Sequence, residues 1–130
     1  MNKLEESKMS LDITIISYGC RWGTHPVELT WTPLDVRKFG NPHHNPKLRN
    51  LRGTDKPVQD ELLAYEAFVA LLNEMTRKIV KSEQSKLIFG VYCTAGRHRS
   101  VAFAELLAEN LRLHGISSTV LHRDKDKVRK

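Results

Sequence analysis

The residues best equipped for chemistry lie in one run, Cys93-Thr94-Ala95-Gly96-Arg97-His98-Arg99-Ser100. Gly96 permits close approach of the backbone to a ligand. Arg99 can grip a phosphate with two parallel hydrogen bonds, Arg97 adds charge, and Ser100 can donate from its hydroxyl. Cys93, beside arginines at a helix start, has the setting that favours a thiolate. Such a run works as an anion cradle when a strand delivers its first residue and a helix begins at its last. The helix then aims its free amides and positive dipole end at the ligand.

The flanking sequence supplies both elements. Leu87 to Tyr92 is a continuous apolar run, which predicts a central parallel strand covered on both faces. His98 to about His114 reads as a helix with Val101, Ala104, Ala108 and Leu111 as its apolar stripe and Gly115 as its cap. Ligands of open α/β sheets bind beyond the carboxyl ends of the strands, where this loop would sit.

Upstream, Leu11 to Tyr18 alternates in part and predicts a strand. Cys20 to Pro33 reads as a loop, and Leu34 to Phe39 as a second strand. Gly40 to Pro57 is a loop of a length usually tied to function or disorder. Pro57 opens a helix running to about Ser82, with Thr54 or Asp55 near its cap. Its buried face is Val58, Leu62, Tyr65, Val69, Leu72 and Ile79, and Tyr65 and Phe68 count as core. Ser117 to His122 is the closing strand. This order predicts a single three-layer α/β domain, an about four-stranded mostly parallel sheet flanked by helices. The expected divisions are a disordered tail over 1–10, the domain over 11–124 and a basic tail over 125–130.

The 130 residues carry a net charge of +6. Much of the excess falls in or beside predicted loops, at Arg21, Arg37, Lys38, Lys47, Arg49, Arg52, Lys56, Arg97 and Arg99, and in the run Arg123 to Lys130. This favours anionic partners, nucleic acid or phosphorylated metabolites. No apolar run reaches the roughly 20 residues that span a bilayer, and Met1 to Ser10 is no signal peptide. A cytoplasmic protein without a membrane partner is expected. Cys20 and Cys93 form no Cys-x-x-Cys pair, and the histidines lack ligand spacing. No metal or cofactor is expected. Arg37 reads equally as an ion pair with Asp35 and as a ligand contact. His43, in a polar loop, is a ligand candidate, whereas His98 either orients the anion loop or faces solvent. Arg123, Lys125, Lys127, Arg129 and Lys130 read as a solvated tail that would add sequence-independent phosphate contacts if RNA binds.

Two families share the loop. The cysteine-dependent phosphatase signature Cys-x-x-Gly-x-x-Arg-Ser/Thr is matched at Cys93, Gly96, Arg99 and Ser100. In that alternative Cys93 is the nucleophile and Arg99 the phosphate clamp. However, Tyr92 stands where that family commonly has histidine, and Trp31-Thr32-Pro33-Leu34-Asp35 resembles only a broken general-acid loop. The wider resemblance is to the C-terminal domain of the RNase adapter protein RapZ. It is carried by Tyr18-Gly19-Cys20-Arg21-Trp22-Gly23, by Asp35 through His43 (one residue shorter than the family's segment), by Leu48 through Val58, by Tyr92 through Val101 and by His122-Arg123-Asp124.

This resemblance implies RNA binding and sensing of an amino-sugar phosphate, glucosamine-6-phosphate. It assigns ligand contacts to His43, Thr94, Ala95 and Arg99 and a basic contact to Arg21. Arg21 replaces a lysine and Ala95 a glycine of the family pattern. Full-length members also carry an N-terminal nucleotide-binding domain, but no Gly-x-x-x-x-Gly-Lys-Ser/Thr occurs here, so nucleotide hydrolysis is not implied.

Together these readings predict a non-enzymatic, free-standing regulatory module. Its expected ligand site is Arg21, Arg37, His43, Thr94, Ala95, Gly96, His98, Arg99 and Ser100, and its RNA contacts are Arg21, Arg97, Arg99 and Arg123. The expected partners are a phosphorylated small molecule and structured RNA. An endoribonuclease, a separate nucleotide-binding protein or a second copy of the chain completes that set. A docking domain with an idle pocket is the third reading.

Overall fold

The computed structural model describes residues 11–128; the tail assigned to 1–10 and the last two residues of the basic tail lie outside them. The isoleucine-rich start forms β1 (Asp12–Gly19). β3 (Lys86–Cys93) lies beside it in parallel, with Ile15 opposite Phe89 and Gly19 opposite Cys93. β4 (Thr119–His122) pairs with the other edge of β1, and β2 (Leu34–Asp35) pairs with β3. The sheet order is β2-β3-β1-β4, parallel throughout. Parallel pairing brings the carboxyl ends of β1 and β3 side by side, so the loops leaving Gly19 and Cys93 must meet.

β2 is two residues long, where Leu34 to Phe39 was expected. The Val36 N–H still reaches the Tyr92 carbonyl. The Arg37 N–H then turns to Asp35 Oδ1 at 2.9 Å, a local bond that competes with the ladder and takes the chain off the sheet.

The helix expected from Pro57 to Ser82 is two helices, α1 (Lys56–Leu63) and α2 (Glu66–Val80), broken at Tyr65 in an extended conformation. The burial pattern explains the break. α1 buries Val58 and Leu62, and the next buried residue is Phe68. Six positions along one continuous helix would set Phe68 about 120° off that stripe. The break restores the phase, so Phe68, Leu72 and Ile79 face the core. Tyr65, expected there, is 43% exposed instead.

α3 (Arg99–Leu113) follows the anion loop and rests on β1, β3 and β4, while α1 and α2 pack on α3. Gly115, at φ +78°, ends it, and the Ile116 N–H returns to the Leu111 carbonyl. One core joins these helices to Ile13, Ile15, Leu87, Phe89 and Val91, with Phe39, Phe68 and Phe103 stacked edge to face. Burying such residues contributes about 1.5–3 kcal/mol each. The layer on the opposite face of the sheet is the irregular segment between β1 and β2. Its Leu29 occupies the space a side chain at Gly90 would need. β4 is fixed from both sides, since His122 Nδ1 lies 2.6 Å from Ser17 Oγ and His122 Nε2 lies 2.8 Å from Glu105 Oε1.

Candidate anion-binding site

Two glycines set the geometry where β1 and β3 end. Gly96 has φ +70°, and a Cβ there would lie 2.5 Å from the Gly19 nitrogen. A Cβ at Gly19 would lie 2.4 Å from the Ala95 carbonyl carbon. Only bare backbone fits on both sides. The turn after β1 is then bonded to the loop: the Arg21 N–H donates to the Thr94 carbonyl at 3.0 Å, and Trp22 Nε1 donates to the Ala95 carbonyl at 2.8 Å. Gly53, in the long loop, donates its N–H to the Arg97 carbonyl from the other side.

These ties frame a cavity of about 330 Å³. Arg21 and Trp22 line it from the turn after β1, and Asn41 and His43 from the segment after β2. Cys93, Thr94, Ala95, Arg97, His98 and Arg99 come from the loop after β3, and Lys127 and Val128 from the segment after β4. Among the described residues, four cationic side chains line it and no carboxylate does.

The deepest wall is the start of α3. Arg99 is 6% exposed, and its Nη1 donates to the Arg37 carbonyl at 2.6 Å and to the Phe39 carbonyl at 3.2 Å. Its Nε has no partner, and neither does Nε2 of His98, which is 5% exposed. A buried polar atom without a partner costs about 1–3 kcal/mol, which an entering anion can recover at the Arg99 Nε–H, and at His98 Nε2 once that ring carries its second proton. Burial pushes the His98 pKa down, aided by the charge of Arg97 and opposed by the carbonyls of Leu51 and Arg49. The His43 pKa is also lowered, by burial and then by Arg49, His44, Arg97 and Arg21. Burial, with Arg52 nearby, lowers that of Arg97.

Several expected contacts fall elsewhere. Ser100 is fully buried outside the lining; its Oγ donates to the Tyr18 carbonyl at 3.3 Å and lies 3.2 Å from Cys93 Sγ. With the Ser100 proton engaged, the Cys93 thiol hydrogen makes the second contact. Gly96 shapes the loop from beneath the lining. The Arg37 side chain stands outside, held on Asp35 by Nε at 3.0 Å and Nη2 at 2.8 Å; its contribution is the carbonyl that anchors Arg99. Asp35, its carboxyl held below the usual range by Arg37, is engaged in that pair. Arg123 is also outside, donating to Asp124 and to the Thr24 carbonyl, with its guanidinium over the Tyr18 ring.

Trp22, Lys127, Val128 and Asp124 were not among the expected site residues. Asp124 is fully buried and accepts from the Gly19 N–H at 2.8 Å, from Arg123 Nε at 3.0 Å and from Lys127 Nζ at 2.7 Å. Burial pushes its pKa up, but Arg123, the Gly19 amide and Lys127 outweigh that and hold it down. The available signal was an aspartate three residues before a lysine, straight after a strand.

The fold and the site define an α/β ligand-binding domain whose cationic cavity sits at the carboxyl ends of parallel strands. The family model described as the RapZ C-terminal domain matches residues 11–126, and the chain belongs to that family. It is similar to a protein of Heliobacterium modesticaldum named "Nucleotide-binding protein", 39% identical over 127 residues covering 92% of this chain and 41% of that one. A Clostridium beijerinckii protein of the same name is 38% identical over 121 residues, 88% of this chain and 40% of the relative. A third, from Carboxydothermus hydrogenoformans, is 34% identical over 132 residues, 96% and 45%. The chain thus spans about two-fifths of the length of these relatives. Among the described residues no helix is long and apolar enough to cross a membrane.

Proposed function

We propose that this chain is a regulatory module that binds a phosphorylated small molecule of the amino-sugar phosphate class. One observation carries the reading: among the described residues, the cavity is lined by four cationic side chains and no carboxylate, and two nine-tenths-buried residues each hold an unpartnered nitrogen. The phosphate sits against the amides at the start of α3, with Arg99 and His98 behind it and Arg21 and Arg97 at the rim. His43, its pKa lowered by burial and then by the cations around it, accepts a hydrogen bond from the sugar's amino or hydroxyl groups in its neutral form. RNA contacts in this reading fall to exposed Arg21 and to Arg97, because Arg99 is buried and Arg123 is engaged internally.

Titration calorimetry with glucosamine-6-phosphate, glucosamine, inorganic phosphate, a nucleoside monophosphate and a structured RNA tests this. The phosphosugar binds, glucosamine does not, and Arg99→Ala abolishes binding. Absence of binding by every phosphorylated probe, or an Arg99→Ala chain that binds normally, refutes the reading. The rival is a cysteine phosphatase, favoured by Cys93 in the lining. Among the described residues no carboxylate acid lines the cavity, and the Cys93 sulfur is engaged with Ser100 Oγ at 3.2 Å. The expected result is no turnover of an aryl phosphate at acidic, neutral or mildly alkaline pH.

A further inference from the structure

We infer that the segment after β4 is the movable wall of the cavity and that Lys127 is the cation that closes it on the bound anion. The inference rests on the anion-binding reading above and adds a residue and a motion to it. Lys127 lines the cavity, yet its Nζ is spent on Asp124 at 2.7 Å. Asp124 keeps other partners without it. The carboxylate is fully buried and already accepts from the Gly19 amide and from both sides of the Arg123 pair, so one negative charge faces two cations.

Lys127 is therefore the surplus partner. Its side chain is 47% exposed on a flexible four-carbon stem, so it can turn from Asp124 to a ligand without stranding a buried charge. The two ends of the segment are held unequally. At Asp124 the anchor is buried and tied to the end of β1, and β4 before it is clamped by Ser17 and Glu105 through His122. At Asp126 the hold on the rest of the molecule is an ion pair to Arg52 at 3.2 Å, with Asp126 71% exposed. Exposed pairs of that kind contribute little. A wall fixed at one end and loosely pinned at the other can swing outward to admit a ligand and return with Lys127 on its phosphate.

The test is titration of inorganic phosphate into the wild-type chain, Lys127→Gln and Lys125→Gln, with amide exchange followed at residues 126–128. Lys125 serves as the control because it lies in the same segment, carries the same charge and is outside the lining. Lys127→Gln should weaken phosphate about tenfold, the effect of one charge-assisted bond, and Lys125→Gln less than about twofold. Phosphate should slow exchange at 126–128 in the wild type and not in Lys127→Gln. Equal affinities for the two variants, or phosphate binding that leaves exchange at 126–128 unchanged, overturn this inference while the anion reading stands. A wild-type chain that binds no phosphorylated probe overturns both.

Discussion

The loop after β3 and the segment after β4 leave the same end of the sheet and meet in one cavity, but they are held in opposite ways. The first is buried, pinned by Gly19 and Gly96, with Arg99 clamped on two carbonyls. The second has one buried anchor at Asp124 and an exposed far end. The difference teaches a division of labour. In the proposed reading the buried wall sets where an anion sits, because its donors are fixed before the ligand arrives, and the exposed wall adjusts how tightly it is kept.

The largest effect that would break this comparison is at Arg99. Arg99→Ala should remove measurable ligand binding and destabilise the fold by about 2–4 kcal/mol in chemical denaturation, because the Arg37 and Phe39 carbonyls lose a charged donor. Retained stability would mean that the wall is not built on that clamp. Next is Gly96→Ala, which places a methyl group 2.5 Å from the Gly19 nitrogen at φ +70°. A loss of about 2 kcal/mol or more is expected, with weakened binding in the fraction that folds.

A smaller effect tests His98 through pH. Its pKa is lowered by burial, so the unfolded chain takes up the proton first as pH falls through about 6.5. Stability therefore drops below that pH, and His98→Gln should flatten the fall in Tm between about pH 7.5 and about pH 5. His43, lowered as well, contributes in the same direction. Sulfate, which does not titrate in this range, should bind more tightly at the lower pH in the wild type, since a protonated His98 donates to it. The smallest effect is at Arg37. Arg37→Ala leaves its backbone carbonyl on Arg99 and removes an exposed ion pair and a guanidinium over the Tyr92 ring, both outside the cavity lining, so ligand affinity should change less than about twofold.

The sequence made the buried wall legible. An unbroken apolar strand, a glycine, two arginines and an amphipathic helix stand next to one another, and local pattern is enough to join them. The exposed wall was not legible in the same way. Lys127 reaches the cavity because β4 docks beside β1 and Asp124 caps the Gly19 amide, a contact between residues far apart in sequence. Nothing local separates such a lysine from a solvated one. The local pattern left Arg37 open between an ion pair and a ligand contact, and did not show the internal partners of Arg123, for the same reason: their charges were visible and their partners were not. The break at Tyr65 was hidden because a six-residue step between buried positions passes for loose helical periodicity until the helix has a core to face.

For redesign of the pocket, the Gly19–Gly96 contact acts as a seam. Neither glycine can be varied alone, since each excludes a side chain on the other. A library aimed at new ligands should leave that pair untouched and draw its diversity from Arg21, His43, Ala95 and Lys127, whose side chains face the cavity without holding its two halves together.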